Sequence, residues 1–137
     1  RMEEQTVSFT EQVYLNQRDI RELQLAKAAI CAGIRLLCSH RGIEVDEIDT
    51  LLIAGAFGNY MNPASACAIG LLPPELENRI LSIGNAAGEG AKMAVLNQEE
   101  FMRSSRLSEE TRFVELALER NFQDVYVEEL LFPEEEE

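Results

Sequence analysis

Residues 51–66, LLIAGAFGNYMNPASA, carry the clearest indication of the fold in this sequence. The apolar run LLIA at 51–54 lies between an acidic segment and a glycine, which is typical of a buried strand in a parallel sheet. The glycine-rich stretch 55–60 is predicted to be a loop. Asn62 and Pro63 then predict the start of a helix, because Asn caps helices well and Pro is favoured in the first turn.

Residues 80–95, ILSIGNAAGEGAKMAV, repeat this order of strand, glycines and helix. A strand over 79–83 is predicted to enter a second glycine loop over 84–90, and an alanine-rich helix follows to about residue 96. Strands separated by helices predict an α/β fold with at least one parallel pair. Neither glycine pattern has the spacing of a dinucleotide fingerprint or the Gly-Lys-Ser/Thr ending of a P-loop. Glycines that only close βα turns therefore stay open as an alternative to a ligand site.

A long helix is predicted before these two units. Its apolar residues recur at three- and four-residue steps over 17–41, which indicates an amphipathic helix. Asn16 is placed to cap its start and Gly42 to end it. A short strand is predicted over 13–15, immediately before the cap.

The segment after the second unit is predicted to be mostly helical. The periodicity favours helices over 98–106 and 108–120, and then a strand-like segment over 122–127. Four glutamates at 134–137 end the chain. We expect them to be a disordered acidic tail that follows one domain over residues 1–133.

The chain is strongly acidic. Its 137 residues include 12 Lys and Arg against 25 Asp and Glu, which gives a formal net charge of −13. This charge would repel nucleic-acid phosphates and anionic lipid headgroups, so neither is an expected partner. No run of about 18 apolar residues predicts a membrane helix, and no secretory segment opens the sequence. We expect a cytoplasmic protein and, because residue 1 is Arg, a fragment of a longer one.

Cysteine and histidine are too sparse for a metal site. Cys31, Cys38 and Cys67 are widely spaced, and His40 is the single histidine. This pattern excludes the usual zinc and iron–sulfur ligand sets. We expect buried, reduced thiols, and the sequence predicts neither a metal ligand nor a catalytic residue in this chain.

Three blocks of sequence, in order, resemble one known family. QRDIRELQLAKAAICAGI at 17–34, LLIAGAFGNYMNPASACAIGLLP at 51–73 and RILSIGNAAGEGAKMAVL at 79–96 are similar to the C-terminal region of the reductive activators of corrinoid proteins. The resemblance implies a partial actin-like (ribonuclease H-like) lobe with short, partly parallel strands flanked by helices. It also implies a longer protein whose N-terminal ferredoxin domain holds a [2Fe–2S] cluster.

The resemblance further implies where a nucleotide would bind. The first strand and turn would back the adenosine through Gly55, Ala56, Phe57 and Gly58, although Ala56 stands where the wider superfamily often has glycine. The long helix would present Gln24 and Lys27 to the adenine and ribose. The second turn and helix would form a hinge between two lobes through Gly84, Ala87, Gly88 and Gly90. Lys27 as a solvated surface residue and Phe57 as a core residue stay open as alternatives.

Cofactors and partners follow from the same resemblance. It implies ATP with Mg²⁺ in the full-length protein and a corrinoid protein as partner, whose Co(II) is reduced to Co(I) at the expense of ATP. The phosphate-binding aspartates of the superfamily have no match here, so we expect this chain alone to bind no cofactor and to be inactive. A homodimer of the full-length protein stays open. The competing hypothesis is a non-catalytic interaction or regulatory α/β module.

Overall fold

The computed structural model of the chain describes residues 7–10 and 12–133. Numbered in chain order, its strands are β1 (Val7–Ser8), β2 (Tyr14–Leu15), β3 (Leu51–Ile53) and β4 (Ile80–Ser82). Its α-helices are α1 (Gln17–Arg41), α2 (Gly55–Tyr60), α3 (Pro63–Ala68), α4 (Ala86–Leu96), α5 (Gln98–Glu110) and α6 (Phe122–Glu128). Short 3₁₀ helices cover Val45–Glu47, Pro74–Arg79 and Leu116–Leu118. The expected acidic tail at 134–137 lies outside the described residues.

The long helix α1 is confirmed at both ends. The Asn16 side chain accepts hydrogen bonds from the amides of Arg18 and Asp19, and the Asp19 carboxylate accepts one from the Asn16 amide at 2.9 Å. This reciprocal arrangement satisfies amides that the start of a helix leaves without partners. Gly42 ends the helix in the left-handed conformation with φ 74°, which glycine adopts without strain.

The predicted parallel pair of strands is confirmed. β3 and β4 lie side by side, with Leu51 opposite Ile80 and Ile53 opposite Ser82. β1 and β2 form a separate antiparallel pair ahead of α1. The fold is therefore α/β, mostly helical, with short strands.

Both predicted glycine loops are wrong over most of their length. Residues 55–60 form α2, and the second loop shrinks to a turn at Gly84 and Asn85 because α4 begins at Ala86. In each unit the first glycine alone has a positive φ, 72° at Gly55 and 57° at Gly84. Each unit therefore uses one glycine to turn the chain, and its other glycines lie inside helices.

Two C-terminal predictions are also wrong. α5 continues to Glu110, and the chain after it is irregular apart from the 3₁₀ helix Leu116–Leu118, so the separate helix predicted over 108–120 does not form. The segment 122–127 belongs to α6 and is not a strand. Its half-buried residues Phe122, Val125 and Tyr126 are three and four positions apart, which is a helical spacing, and the helix packs on α1.

The core lies between α1, α3 and the chain that follows α3. The buried apolar residues of α1 are Ala28, Cys31, Ala32, Leu36 and Cys38. A second buried cluster consists of Ala66, Cys67, Leu71 and Leu72, and residues of α1 and of both parallel strands pack against it. Among the described residues, no helix is long and apolar enough to cross a membrane.

Candidate functional site

The two strand–turn–helix units meet at their turns. The Ile83 amide donates to the Ile53 carbonyl at 2.9 Å, which continues the parallel pairing past the end of β4. The Gly55 amide then donates to the Gly84 carbonyl at 2.7 Å. Both turn glycines therefore lie together at the carboxyl ends of two parallel strands. In open α/β sheets this edge is where ligands bind.

The first turn is open to solvent. Gly55, Ala56 and Phe57 are exposed, and the Phe57 side chain keeps 61% of its surface accessible. A Cβ on Gly55 would meet no atom within 4 Å, so this position requires glycine for its positive φ and not for lack of space. The alternative that Phe57 is a core residue is therefore wrong.

Gly58 has a different reason to be glycine. It is buried, and a Cβ built there would lie 2.5 Å from the Ile53 carbonyl oxygen. α2 therefore approaches the backbone of β3 too closely for any side chain at this position. The Gly58 carbonyl also accepts a hydrogen bond from the Ser82 hydroxyl of β4.

An apolar groove of about 240 Å³ adjoins this turn. It is lined by Ile30 and Ile34 of α1, by β3, and by Phe57 and Met61, among other residues. Sites for small molecules usually enclose about 300–1,000 Å³. The groove is smaller and open, so this part of the chain offers one side of a site and not a complete pocket.

The four residues assigned to a hinge have different environments. Gly84 lies in the turn, and a Cβ on it would come within 3.5 Å of the Asn59 side-chain oxygen. Gly88 lies over the Asn85 side chain, which caps α4 by accepting from the Gly88 amide at 3.1 Å. A Cβ on Gly88 would be 2.4 Å from that side chain, whereas one on Gly90 would meet nothing within 4 Å. Ala87 is exposed.

Gln24 and Lys27 are bound to the C-terminal segment of the chain. The Gln24 amide nitrogen donates to the Leu130 carbonyl at 3.1 Å. The Lys27 ammonium donates to the carbonyls of Glu129 and Leu131, both at 2.6 Å. The structure therefore brings the two glycine turns together, but it engages the side-chain nitrogens of Gln24 and Lys27 with the C-terminal segment.

Lys27 is fully buried, so its reading as a surface lysine is wrong. Its ammonium lies 5.3 Å from the centre of the Phe132 ring, in addition to its two carbonyl partners. Burial lowers the pKa of Lys27, and the nearby Glu129 and Cys31 oppose that shift. A buried ammonium is tolerated here because carbonyl oxygens and an aromatic face replace its water.

Arg35 also takes part in the contact between α1 and the C-terminal segment, a role that was not predicted from the sequence. Its guanidinium bonds the Glu129 carboxylate at 2.6 Å and the Glu75 carboxylate at 3.0 Å. A signal was present, because Gln24, Lys27, Cys31 and Arg35 are three or four positions apart and so share one face of α1. Ser82, the other residue that sequence reasoning missed, had no comparable signal.

The cysteines are unsuited to metal or redox chemistry. All three are buried and unpaired, as expected. Burial raises the pKa of each thiol, to about 12 for Cys31, where Glu129 adds to the effect. Thiols of this kind are poor nucleophiles and poor ligands. Within the described residues, no three His, Cys, Asp or Glu side chains are grouped to hold a metal ion.

Comparisons with known proteins give a consistent result. A family model described as the C-terminal domain of RACo, the ASKHA domain, matches residues 1–137. The corrinoid activation enzyme RamQ of Eubacterium limosum is 39% identical over 120 residues, which are 88% of this chain and 20% of that protein. A solved structure of a reductive activator for corrinoid, iron-sulfur protein matches with a TM-score of 0.79 and 32% identity, over 90% of this chain and 20% of its own. The chain thus spans about a fifth of the length of both relatives.

Proposed function

The chain belongs to the family of C-terminal ASKHA domains of the corrinoid activator RACo, and from this premise we propose that it forms part of the nucleotide site of an ATP-dependent corrinoid activator. Membership confirms the resemblance and the actin-like α/β fold expected from the sequence. The relatives are a corrinoid activation enzyme and a reductive activator, and the matched part of this chain covers 20% of each. The activity proposed here is therefore that of a longer protein, to which this region contributes.

The observation that carries the proposal is the pairing of the two turns. Gly55 and Gly84 are joined by a 2.7 Å backbone hydrogen bond at the carboxyl ends of β3 and β4. Because β3 and β4 are parallel neighbours, both turns lie at the carboxyl edge of the sheet, the edge where open α/β sheets bind ligands. Both turn glycines have a positive φ, and the exposed backbone at Gly55 favours a ligand over this edge of the sheet.

The residues at the first turn fit an adenosine. Gly55 and Ala56 leave the backbone open to close approach, and the exposed Phe57 ring offers an apolar face for a base. Gly58 supports the site from beneath, since it is buried against β3. Gln24 and Lys27 would join the site only if the C-terminal segment released them.

The remaining assignments belong to the same proposal. ATP with Mg²⁺ would supply the free energy for reducing a Co(II) corrinoid on a partner protein, and a [2Fe–2S] cluster outside this chain would supply the electron. This chain would bind and orient the adenosine, while Gly84, Ala87, Gly88 and Gly90 would form the hinge. The small, open groove supports an incomplete site that binds nucleotide only in the full-length protein. Buried thiols support a cytoplasmic location, and a homodimer stays open.

The test removes the Phe57 ring from the full-length protein. Phe57→Ala should weaken ATP binding about tenfold, because stacking of one base on an aromatic ring contributes about 1–3 kcal/mol. Folding should be little affected, since 61% of the Phe57 surface is already exposed. Calorimetric titration of ATP with Mg²⁺ measures the affinity.

Tyr60→Ala is the matched control. Tyr60 lies at the other end of α2 and is 89% exposed, so its removal should leave the ATP affinity unchanged. If the parent protein binds no ATP, or if a folded Phe57→Ala protein binds it as well as the parent, the proposal is wrong. The interaction-module hypothesis would then be preferred.

A further inference from the structure

The orientation of α2 cannot come from α2 itself. The helix has six residues, and its N-cap Ala54 provides no side-chain hydrogen bond. Isolated helices shorter than about 12 residues are marginal in water. Contacts with the rest of the molecule must therefore hold α2, and with it the exposed residues Gly55 to Phe57, in place.

The two hydrogen bonds among those contacts come from one short segment at the end of β4. At the start of α2, the Gly55 amide donates to the Gly84 carbonyl at 2.7 Å. In the last turn of α2, where a helix has no amides left for its carbonyls, the Gly58 carbonyl accepts from the Ser82 hydroxyl. Residues 82–84 therefore bind both ends of α2, once through the backbone and once through a side chain.

The same segment leads directly into α4. Gly84 turns the chain with φ 57°, and Asn85 caps α4. Only two residues therefore separate Ser82 from the N-cap of α4. Meanwhile the glycine contact at Gly58 leaves α2 no space to shift toward β3, since even a Cβ would lie 2.5 Å from the Ile53 oxygen. α2 is thus held between β3 beneath it and residues 82–84 beside it.

We propose that Ser82 is a positioning residue that ties α2, and so the adenosine-facing turn, to the segment that carries α4. A displacement of residues 82–84 therefore moves both ends of α2 together. Through the Ser82 hydroxyl, the binding of nucleotide at the Gly55 turn is coupled to the position of α4. The inference rests on the proposed function for its nucleotide part. Its mechanical part, that Ser82 fixes α2, stands on the hydrogen bond to Gly58 and the absence of a cap at Ala54.

The experiment compares Ser82→Ala, Ser82→Thr and Ser104→Ala in the full-length protein. Ser104 is the matched control because its hydroxyl also donates to a helix carbonyl, that of Phe101 at 2.7 Å, but in α5. Two quantities are measured: the hydrogen exchange of the Met61 amide, which closes α2 on the Phe57 carbonyl at 3.0 Å, and the dissociation constant for ATP.

Ser82→Ala should raise both the Met61 exchange rate and the ATP dissociation constant about fivefold, the factor that one net hydrogen bond supplies. Ser82→Thr keeps the hydroxyl and should restore both, while Ser104→Ala should change neither. Faster exchange with unchanged ATP affinity, or no change in either, overturns the inference. Failure of the parent protein to bind ATP contradicts the proposed function, and the exchange rates then still decide whether Ser82 fixes α2.

Discussion

The contact between α1 and the C-terminal segment differs in kind from the contact between the two glycine turns. At the first, the buried Lys27 and the half-buried Gln24 of α1 donate to carbonyls of residues 129–131. At the second, backbone and apolar side chains remain exposed, with Phe57 at 61% and Leu52 at 56% accessible. The side-chain nitrogens at the first contact already donate to carbonyls of the C-terminal segment, whereas the second contact still has apolar surface to cover. The open surface is therefore the better candidate for binding.

Burial of Lys27 has an energetic explanation that involves no ligand. An ammonium moved out of water costs several kcal/mol unless it is bonded. Here its partners are the carbonyl of Glu129, which caps the end of α6, and the carbonyl of Leu131 just after it, so the ammonium and the two carbonyls satisfy one another. Arg35 adds a charged bond to Glu129 in the same segment. These contacts fix the end of the chain on α1.

The strongest test of this comparison is Lys27→Ala. The substitution leaves two carbonyls unpaired and a cavity beneath Phe132, so the free energy of unfolding should fall by about 3 kcal/mol. Lys92→Ala is the matched control, because Lys92 is an exposed lysine whose one ion pair is with Glu89 on the same helix. It should change stability by less than about 0.5 kcal/mol. Equal losses for the two variants in a denaturant titration would show that Lys27 is not part of the core.

The sequence was most informative where the signal is local. The Asn16 cap, the Gly42 end and the parallel strands follow from residue types and spacing that act within a few positions, and the structure confirms them. The glycine loops were predicted wrongly because glycine in a sequence does not distinguish a positive φ from a close contact. Position 58 must be glycine because the Ile53 carbonyl leaves no space for a side chain, and that carbonyl is nearby only in the folded chain.

The candidate site shows the same limit. The sequence places the turns at the ends of two strands, but the hydrogen bond that joins Gly55 to Gly84 depends on strand register, which no local pattern reveals. Lys27 and Gln24 are polar residues on one helix face, and the partners that bury them lie about a hundred positions along the chain. Nothing in the sequence distinguishes Ser82 from the other serines, because its hydrogen bond to Gly58 exists only when β4 lies beside α2.

A second test compares two glycines within helices of the two strand–turn–helix units. Gly58→Ala should lower the free energy of unfolding by about 1–3 kcal/mol, because the new Cβ overlaps the backbone of β3. Gly90→Ala should raise it by about 0.5–1 kcal/mol, since Gly90 is exposed inside α4 with nothing within 4 Å, and Ala is the better helix former. The opposite signs are the expected outcome of paired thermal or denaturant unfolding. Loss of stability in both would mean that α4 is packed more tightly than the structure shows.

The smallest expected change in stability concerns Glu75. Its carboxylate pairs at 3.0 Å with Arg35, at the margin of the contact between α1 and the C-terminal segment. Burial pushes the pKa of the Glu75 carboxyl up, but its backbone hydrogen bond and Arg35 outweigh burial and hold that pKa below its ordinary value of 4.5. A carboxyl with a depressed pKa in the folded state adds stability above the unfolded pKa, and that stability is lost as pH falls through the folded pKa. Glu75→Gln should therefore cost a few tenths of a kcal/mol near neutral pH, the size of a solvent-screened pair, and the difference from the parent should close as pH falls below 4.5, the ordinary pKa of this carboxyl. Unfolding titrations at several pH values measure this, and in an Arg35→Gln background the effect of Glu75→Gln should shrink. A difference that stays constant from neutral to acid pH would mean that the pair with Arg35 does not stabilise the fold.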